Sequence, residues 1–190
     1  MLTAQKEPIL IAKSSAEEGV RFRQSLCELY YGKMMGVCLR YAKDKDQAKD
    51  ILHDGFIKVF DKINQFDNKG SLEGWIRRVM VNTAIDFCRK NTFTFSMDEK
   101  FDLEDLDSNG TNESDLEAFL NTFSADQIMK MVQGLSPVYR VVFNLYAIEN
   151  YSHKEISEKL GISEGASKSN LSRARINLQK MFFKSKVNSI

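Results

Sequence analysis

The chain has 190 residues, 43% of them hydrophobic and 28% charged, and a net charge of +1. That length allows one domain or two small ones, and the apolar fraction is enough to build a core, so global disorder is excluded. No apolar run approaches the roughly 18–20 residues of a membrane span. The opening MLTAQKEPILIAKSSAEE lacks the basic start and apolar block of a signal peptide, so the expected compartment is the cytoplasm.

Two prolines and ten glycines predict an all-α chain with few tight turns. The first helix is expected over roughly residues 20–41, with Phe22, Leu26, Leu29, Tyr30, Val37 and Tyr41 at three- and four-residue steps, and a shorter helix before Val20. The second starts near Asp46 and carries Ala48, Ile51, Leu52, Phe56, Val59 and Ile63. A turn, FDNKGS, follows. The third runs from about Leu72 to Lys90, with Leu72, Trp75, Ile76, Val79, Thr83 and Phe87 inward.

Residues 93–127 break the pattern. They hold one basic and ten acidic residues, whereas residues 1–92 carry a net +4 and residues 128–190 a net +6. Their centre, DLEDLDSNGTNESD, has the composition of a flexible, self-repelling linker. Two small helical domains, 1–92 and 128–190, are therefore expected on either side of an acidic linker.

After the linker, Ile128, Met131, Val132 and Leu135 predict a short helix. Ser136 is the expected cap of the next helix, with Pro137 in its first turn and Val138, Val141, Val142, Leu145 and Tyr146 on its stripe. Ser152-His153-Lys154-Glu155 reads as a capping box that opens a helix with Ile156 and Leu160. Gly161 ends it, and Ser163 caps a last helix with Leu171, Ala174, Leu178 and Met181. Helix, glycine turn and second helix make a helix-turn-helix. Lys168, Ser169, Asn170, Ser172, Arg173 and Arg175 lie on the outer face of the second helix, with donors suited to phosphates and base edges.

Enzyme chemistry finds no support. There is no phosphate loop, no HExxH, no GxSxG, and only two histidines, His53 and His153, a hundred residues apart. No catalytic residue, metal site or cofactor is expected. Cys27, Cys38 and Cys88 fall inside helical patterns and read as small apolar residues.

The tail EISEKLGISEGASKSNLSRAR resembles the carboxy-terminal motif of bacterial sigma factors of the extracytoplasmic-function (ECF) type, which runs roughly EIAxxLGIsxGTVKSRLxRAR. The likeness extends upstream through LSPVYRVVFNLYAIENYSHKEI. DQAKDILHDGFIKVFDKI is similar to the family's helix that docks on RNA polymerase core. FDNKGSLEGWIRRVMVNTAIDFCRK is similar to its helix that opens and reads the minus-ten element.

The resemblance implies a promoter-specificity subunit. Its partners would be RNA polymerase core, met at the coiled coil of the largest subunit, promoter DNA, and an anti-sigma factor. It assigns Asp50, His53, Asp54 and Phe56 to the core contact, although the family commonly has Gln-Glu where His53-Asp54 stands. The minus-ten strand falls to Asn68 and Lys69 of the loop and to Arg77, Arg78, Asn82, Ile85, Arg89 and Lys90 of the third helix. The minus-thirty-five duplex falls to the six residues of the last helix. Ser157 stands where the family usually has Ala, and Ser167 where it has Val. Both would face the helix pair, each able to bond a carbonyl one turn back. The competing expectation is a stand-alone helix-turn-helix regulator with an effector pocket in its front domain.

Overall fold

A computed structural model describes residues 16–91 and 124–187, and the described residues are helical, without strands. They form two compact units that divide after Phe87. The expected linker falls, for residues 93–123, outside the described residues.

In the front unit, α1 spans Ala16–Tyr41, α2 Lys45–Lys62 and α3 Leu72–Asn91, with one 3-10 turn, Ile63–Gln65, after α2. Residues 16–19 belong to α1, not to a separate helix. Asp44 starts α2: its side chain accepts from the Gln47 amide at 2.8 Å. Ala48, Ile51, Leu52, Phe56, Val59 and Ile63 are all buried, as their spacing predicts. Helix α2 packs on α1, where Met34, Val37, Cys38 and Tyr41 are buried as well. Burial raises the Cys38 thiol to about 12, so it behaves as an apolar group.

Gly55 decides how closely α2 approaches α3. A Cβ there would collide with the sulfur of the fully buried Met80. Two surface ion pairs also reach α3, Lys33 of α1 to Glu73 and Lys58 of α2 to Asp86 at 3.0 Å.

In the second unit, α4 spans Ala125–Gly134 and α5 Pro137–Phe143. A π turn follows, Asn144–Ile148, then α6, His153–Leu160, and α7, Glu164–Val187. The periodicity places the start of α4 near Ile128, but the helix begins at Ala125. Ser124 and Gln127 form a capping box, so the acidic run ends in helix and not in linker. Ser136 does not cap α5 through its side chain, although Pro137 does sit in the first turn. A buried arginine joins the two helices instead. Arg140 of α5, 5% exposed, donates from Nε to the Val132 carbonyl at 3.2 Å. Its Nη2 donates to those of Gln133 (2.6 Å) and Leu135 (2.8 Å). Its guanidinium thereby takes up carbonyls at the end of α4.

Candidate nucleic-acid interface

The helix-turn-helix is built from local chemistry. Ser152 accepts from the Glu155 amide at 3.3 Å, while the Glu155 carboxylate accepts from the Ser152 amide at 2.8 Å. The Ser152 hydroxyl also donates to the Glu155 carboxylate at 2.7 Å, and that bond, with the one from the Ser152 amide, holds the carboxyl below its ordinary range. Gly161 ends α6 at φ +69°, a left-handed conformation that favours glycine. Ser163 starts α7, its hydroxyl accepting from the Ala166 amide at 3.0 Å. Ile156, Leu160, Leu171, Ala174 and Leu178 are buried, which fixes the outer face of α7.

On that face Lys168, Ser169 and Ser172 are exposed, and Asn170 and Arg173 are half-buried. Arg175 is placed differently from its neighbours. It is half-buried, with its guanidinium carbon 5.8 Å from the Tyr146 ring centre. The two serine departures also part ways. Ser157 donates to the Lys154 carbonyl one turn back at 2.7 Å. Ser167, fully buried, instead lies 2.9 Å from Nδ1 of His153.

In the front unit, the loop before α3 is shaped by two residues with positive φ, Asn68 at 60° and Gly70 at 92°. Asp67 accepts from the Lys69 amide at 3.0 Å and pairs with the Lys69 ammonium at 3.1 Å. Both contacts hold the Asp67 carboxyl below its usual range. Ser71 closes the loop by accepting from the Gly74 amide at 3.0 Å. Trp75 is half-buried and packs on Phe66, 5.8 Å between ring centres, as a wall of the domain.

A cavity of about 350 Å³ opens beside this loop. Phe22, Leu26 and Tyr30 of α1 line it together with Phe66, Asn68 and Ser71. No sequence signal pointed to the α1 wall, because its residues lie far along the chain from the loop, Tyr30 and Phe66 being 36 positions apart.

Along α3, Arg78, Asn82, Arg89 and Lys90 are exposed and Arg77 is half-buried. Ile85 is corrected: it is 4% exposed and belongs to the core, not to a DNA-facing surface. It lies four residues after Val81 and three before Cys88, both buried, so it falls on the inward stripe. The inward face is set by Ile76, Met80, Ala84 and Cys88, while the expected inward residues Leu72, Trp75, Val79 and Phe87 are only half-buried.

On α2, Asp50, His53 and Asp54 are exposed. Phe56 is corrected in the same way as Ile85. At 6% exposure, stacked on Phe60 with ring centres 6.0 Å apart, it is a core side chain. It also lines a groove between α1 and α2, together with Tyr31, Asp50, His53 and Ile57; Ile57 and Tyr31 are exposed apolar groups.

Comparison with known proteins agrees with this layout. Residues 26–94 match the model of sigma-70 region 2, and residues 125–178 match that of sigma-70 region 4. The ECF RNA polymerase sigma factor SigW of Bacillus subtilis (strain 168) is 28% identical over 160 residues, covering 82% of this chain and 86% of SigW. The RNA polymerase sigma factor YlaC of the same organism is 24% identical over 168 residues, covering 86% of this chain and 93% of YlaC. Among solved structures, the sigma factor RpoE in complex with the anti-sigma factor NepR from Bartonella quintana aligns with a TM-score of 0.48 at 19% identity, over 84% of this chain and 95% of that one. With both family regions matched in order, one on each compact unit, the chain belongs to the sigma-70 family as a sigma factor of the ECF type, a subunit that binds RNA polymerase core and directs initiation at chosen promoters.

Proposed function

We propose a division of labour between the two units, with residues 1–92 and 124–190 as the working domains and 93–123 as the acidic connection. Helix α7 enters the major groove of the minus-thirty-five duplex. Lys168, Ser169, Asn170, Ser172 and Arg173 meet phosphates and base edges there, while Arg175 is held against Tyr146 at the margin. Helix α3 meets the opened minus-ten strand through Arg77, Arg78, Asn82, Arg89 and Lys90, with Asn68 and Lys69 on the loop. The cavity beside that loop takes an extruded base. Extrusion costs a few kcal/mol, which an apolar, aromatic-walled pocket with polar Asn68 and Ser71 at its rim is suited to offset.

Asp50, His53 and Asp54 meet the coiled coil of the polymerase, with the apolar groove of Tyr31 and Ile57 beside them. An acidic rim around exposed apolar groups fits a basic partner surface. Lys58 is drawn away from that rim by Asp86, which leaves the face more acidic than the sequence suggests. An anti-sigma factor is a second partner. In this scheme the chain works in the cytoplasm as a non-catalytic subunit; among the described residues no helix is long and apolar enough to cross a membrane.

The observation that carries the proposal is the cavity beside the loop that opens α3, a helix whose exposed face bears Arg78, Asn82 and Arg89. A stand-alone regulator needs no such combination. Asn82→Ala with Arg78→Ala tests it by permanganate footprinting of the minus-ten thymines. Core binding and duplex binding should persist, melting of duplex promoter should fail, and a premelted bubble should restore part of the activity. Normal thymine reactivity on duplex DNA in the double variant would refute the assignment.

A further inference from the structure

Ser167 is the fourth residue of α7, one position before Lys168, and is fully buried. A buried hydroxyl needs a partner, and a helical serine usually finds it in the carbonyl one turn back. Here the partner is on another helix: Nδ1 of His153, the first residue of α6, at 2.9 Å. The imidazole in turn stacks on Tyr146 of the π turn, 4.7 Å between ring centres at 24°. Over the same tyrosine lies the guanidinium of Arg175, back on α7. One connected set of side chains, Ser167–His153–Tyr146–Arg175, therefore grips α7 at two points eight residues apart.

That grip differs in kind from the rest of the contact between α6 and α7. Ile156, Leu160, Leu171 and Ala174 bury apolar area, and apolar burial has no direction. It fixes how near α7 lies, but only weakly how far it is rolled about its axis. A hydrogen bond and an aromatic stack are directional. Roll is the variable that matters for reading DNA, because the long side chains on the outer face magnify any rotation of the helix beneath them. Loosely aimed contacts lose much of their value.

We propose that Ser167 and His153 are positioning residues for promoter reading: together they set the roll of α7 and so the aim of Lys168, Ser169, Ser172 and Arg173 at the duplex. This rests on α7 being the helix that meets the minus-thirty-five element. In the neutral imidazole the tautomer that carries its proton on Nε2 leaves Nδ1 to accept from the Ser167 hydroxyl. Burial, then Lys168 and Arg175, hold His153 below its ordinary range, with Glu164 acting the other way. Ser167 is sealed from solvent, so its influence on DNA can only pass through the placement of α7.

The test uses holoenzyme assembled from the full chain and core polymerase, titrated against a labelled promoter with a duplex minus-thirty-five element. Thermal melts establish that each variant is folded at the assay temperature. Ser167→Ala and His153→Ala should each weaken binding by about fivefold, the scale of one net hydrogen bond. Both should also narrow the ratio between the best promoter and one with a substituted minus-thirty-five element. The double variant should be no worse than the poorer single one, since both break the same link. His153→Asn, which keeps an acceptor near the place of Nδ1, should recover part of the loss.

Arg173→Ala is the control for the underlying assignment. If it loses binding while Ser167→Ala binds and discriminates like the parent, only the positioning proposal falls. Additive losses in the double variant, or His153→Asn no better than His153→Ala, would overturn it too. If Arg173→Ala is itself silent, the recognition-helix assignment fails, and the positioning proposal fails with it.

Discussion

Arg140→Met is the sharpest test of what holds the second unit together. Methionine roughly fills the volume of the arginine stem but donates nothing. Three carbonyls, of Val132, Gln133 and Leu135, lose their donor at once. A hydrogen bond from a charged group is worth about 1.5–3 kcal/mol, but three that share one guanidinium are not independent. The loss should be about 3–5 kcal/mol, in the lower part of the sum for three buried carbonyls left unsatisfied at about 1–3 kcal/mol each. A unit this small, at about 0.05–0.15 kcal/mol per residue, holds only a few kcal/mol in all. The variant should therefore melt more than about 12 °C below the parent. Circular dichroism of the full chain measures the transition, and hydrogen exchange locates it. Protection should fall first along Ala125–Phe143. Arg140→Lys keeps the charge but cannot span three acceptors, so it should lie between the two. A melting temperature for Arg140→Met within about 2 °C of the parent, with exchange in α4 unchanged, would show that the guanidinium is not what ties α4 to α5.

Gly55→Ala should destabilise the front unit by about 1–3 kcal/mol, because Met80 is fully buried and has little room to yield; an unshifted denaturant midpoint would refute this. Ser152→Ala removes one half of the capping box and should cost the tail about 1 kcal/mol, and a melt identical to the parent would show that Glu155 and solvent suffice. Stability of the tail should also depend on pH through His153. Its folded pKa lies below the ordinary value, so the unfolded chain binds that proton more readily. The tail is accordingly at full strength above the usual imidazole range and weakens as pH falls through it. His153→Asn should flatten melts recorded between about pH 8 and 5.5, and an unchanged slope would remove His153 as the source.

Much of this architecture was legible because it is written locally. The capping box at Ser152, the turn at Gly161 and the apolar steps of α2 each need only a few neighbouring residues to be read, and all three stand in the structure. The face of α3 was harder. Of the expected inward residues Leu72, Trp75, Ile76, Val79, Thr83 and Phe87, only Ile76 and Thr83 are buried; the core edge continues through Met80, Ala84 and Cys88, and where it runs depends on the position of α2. Centring the stripe on Trp75 and Val79 put Ile85 outside. Phe56 is a different case: its spacing on α2 places it in the core, where it lies, and only the family resemblance assigned it to the polymerase contact. Side-chain contacts between separate elements left no sequence signal. His153 on Ser167, Arg140 on α4 and the α1 wall of the cavity are products of tertiary packing.

The π turn between α5 and α6 has a consequence of its own. A helix that widens for one turn carries an extra residue without lengthening in proportion. Glu149 bonds five positions back to the Asn144 carbonyl at 3.0 Å, and the Asn144 side chain donates to the Arg140 carbonyl at 2.9 Å. The turn acts as a phase adjuster: it offsets everything downstream by about 100° against the buried stripe of α5. Deleting one residue between Asn144 and Ile148 would restore the ordinary pitch and keep the composition almost intact. It would also swing Tyr146 off the ring of His153, uncoupling two helices whose own sequences had not changed.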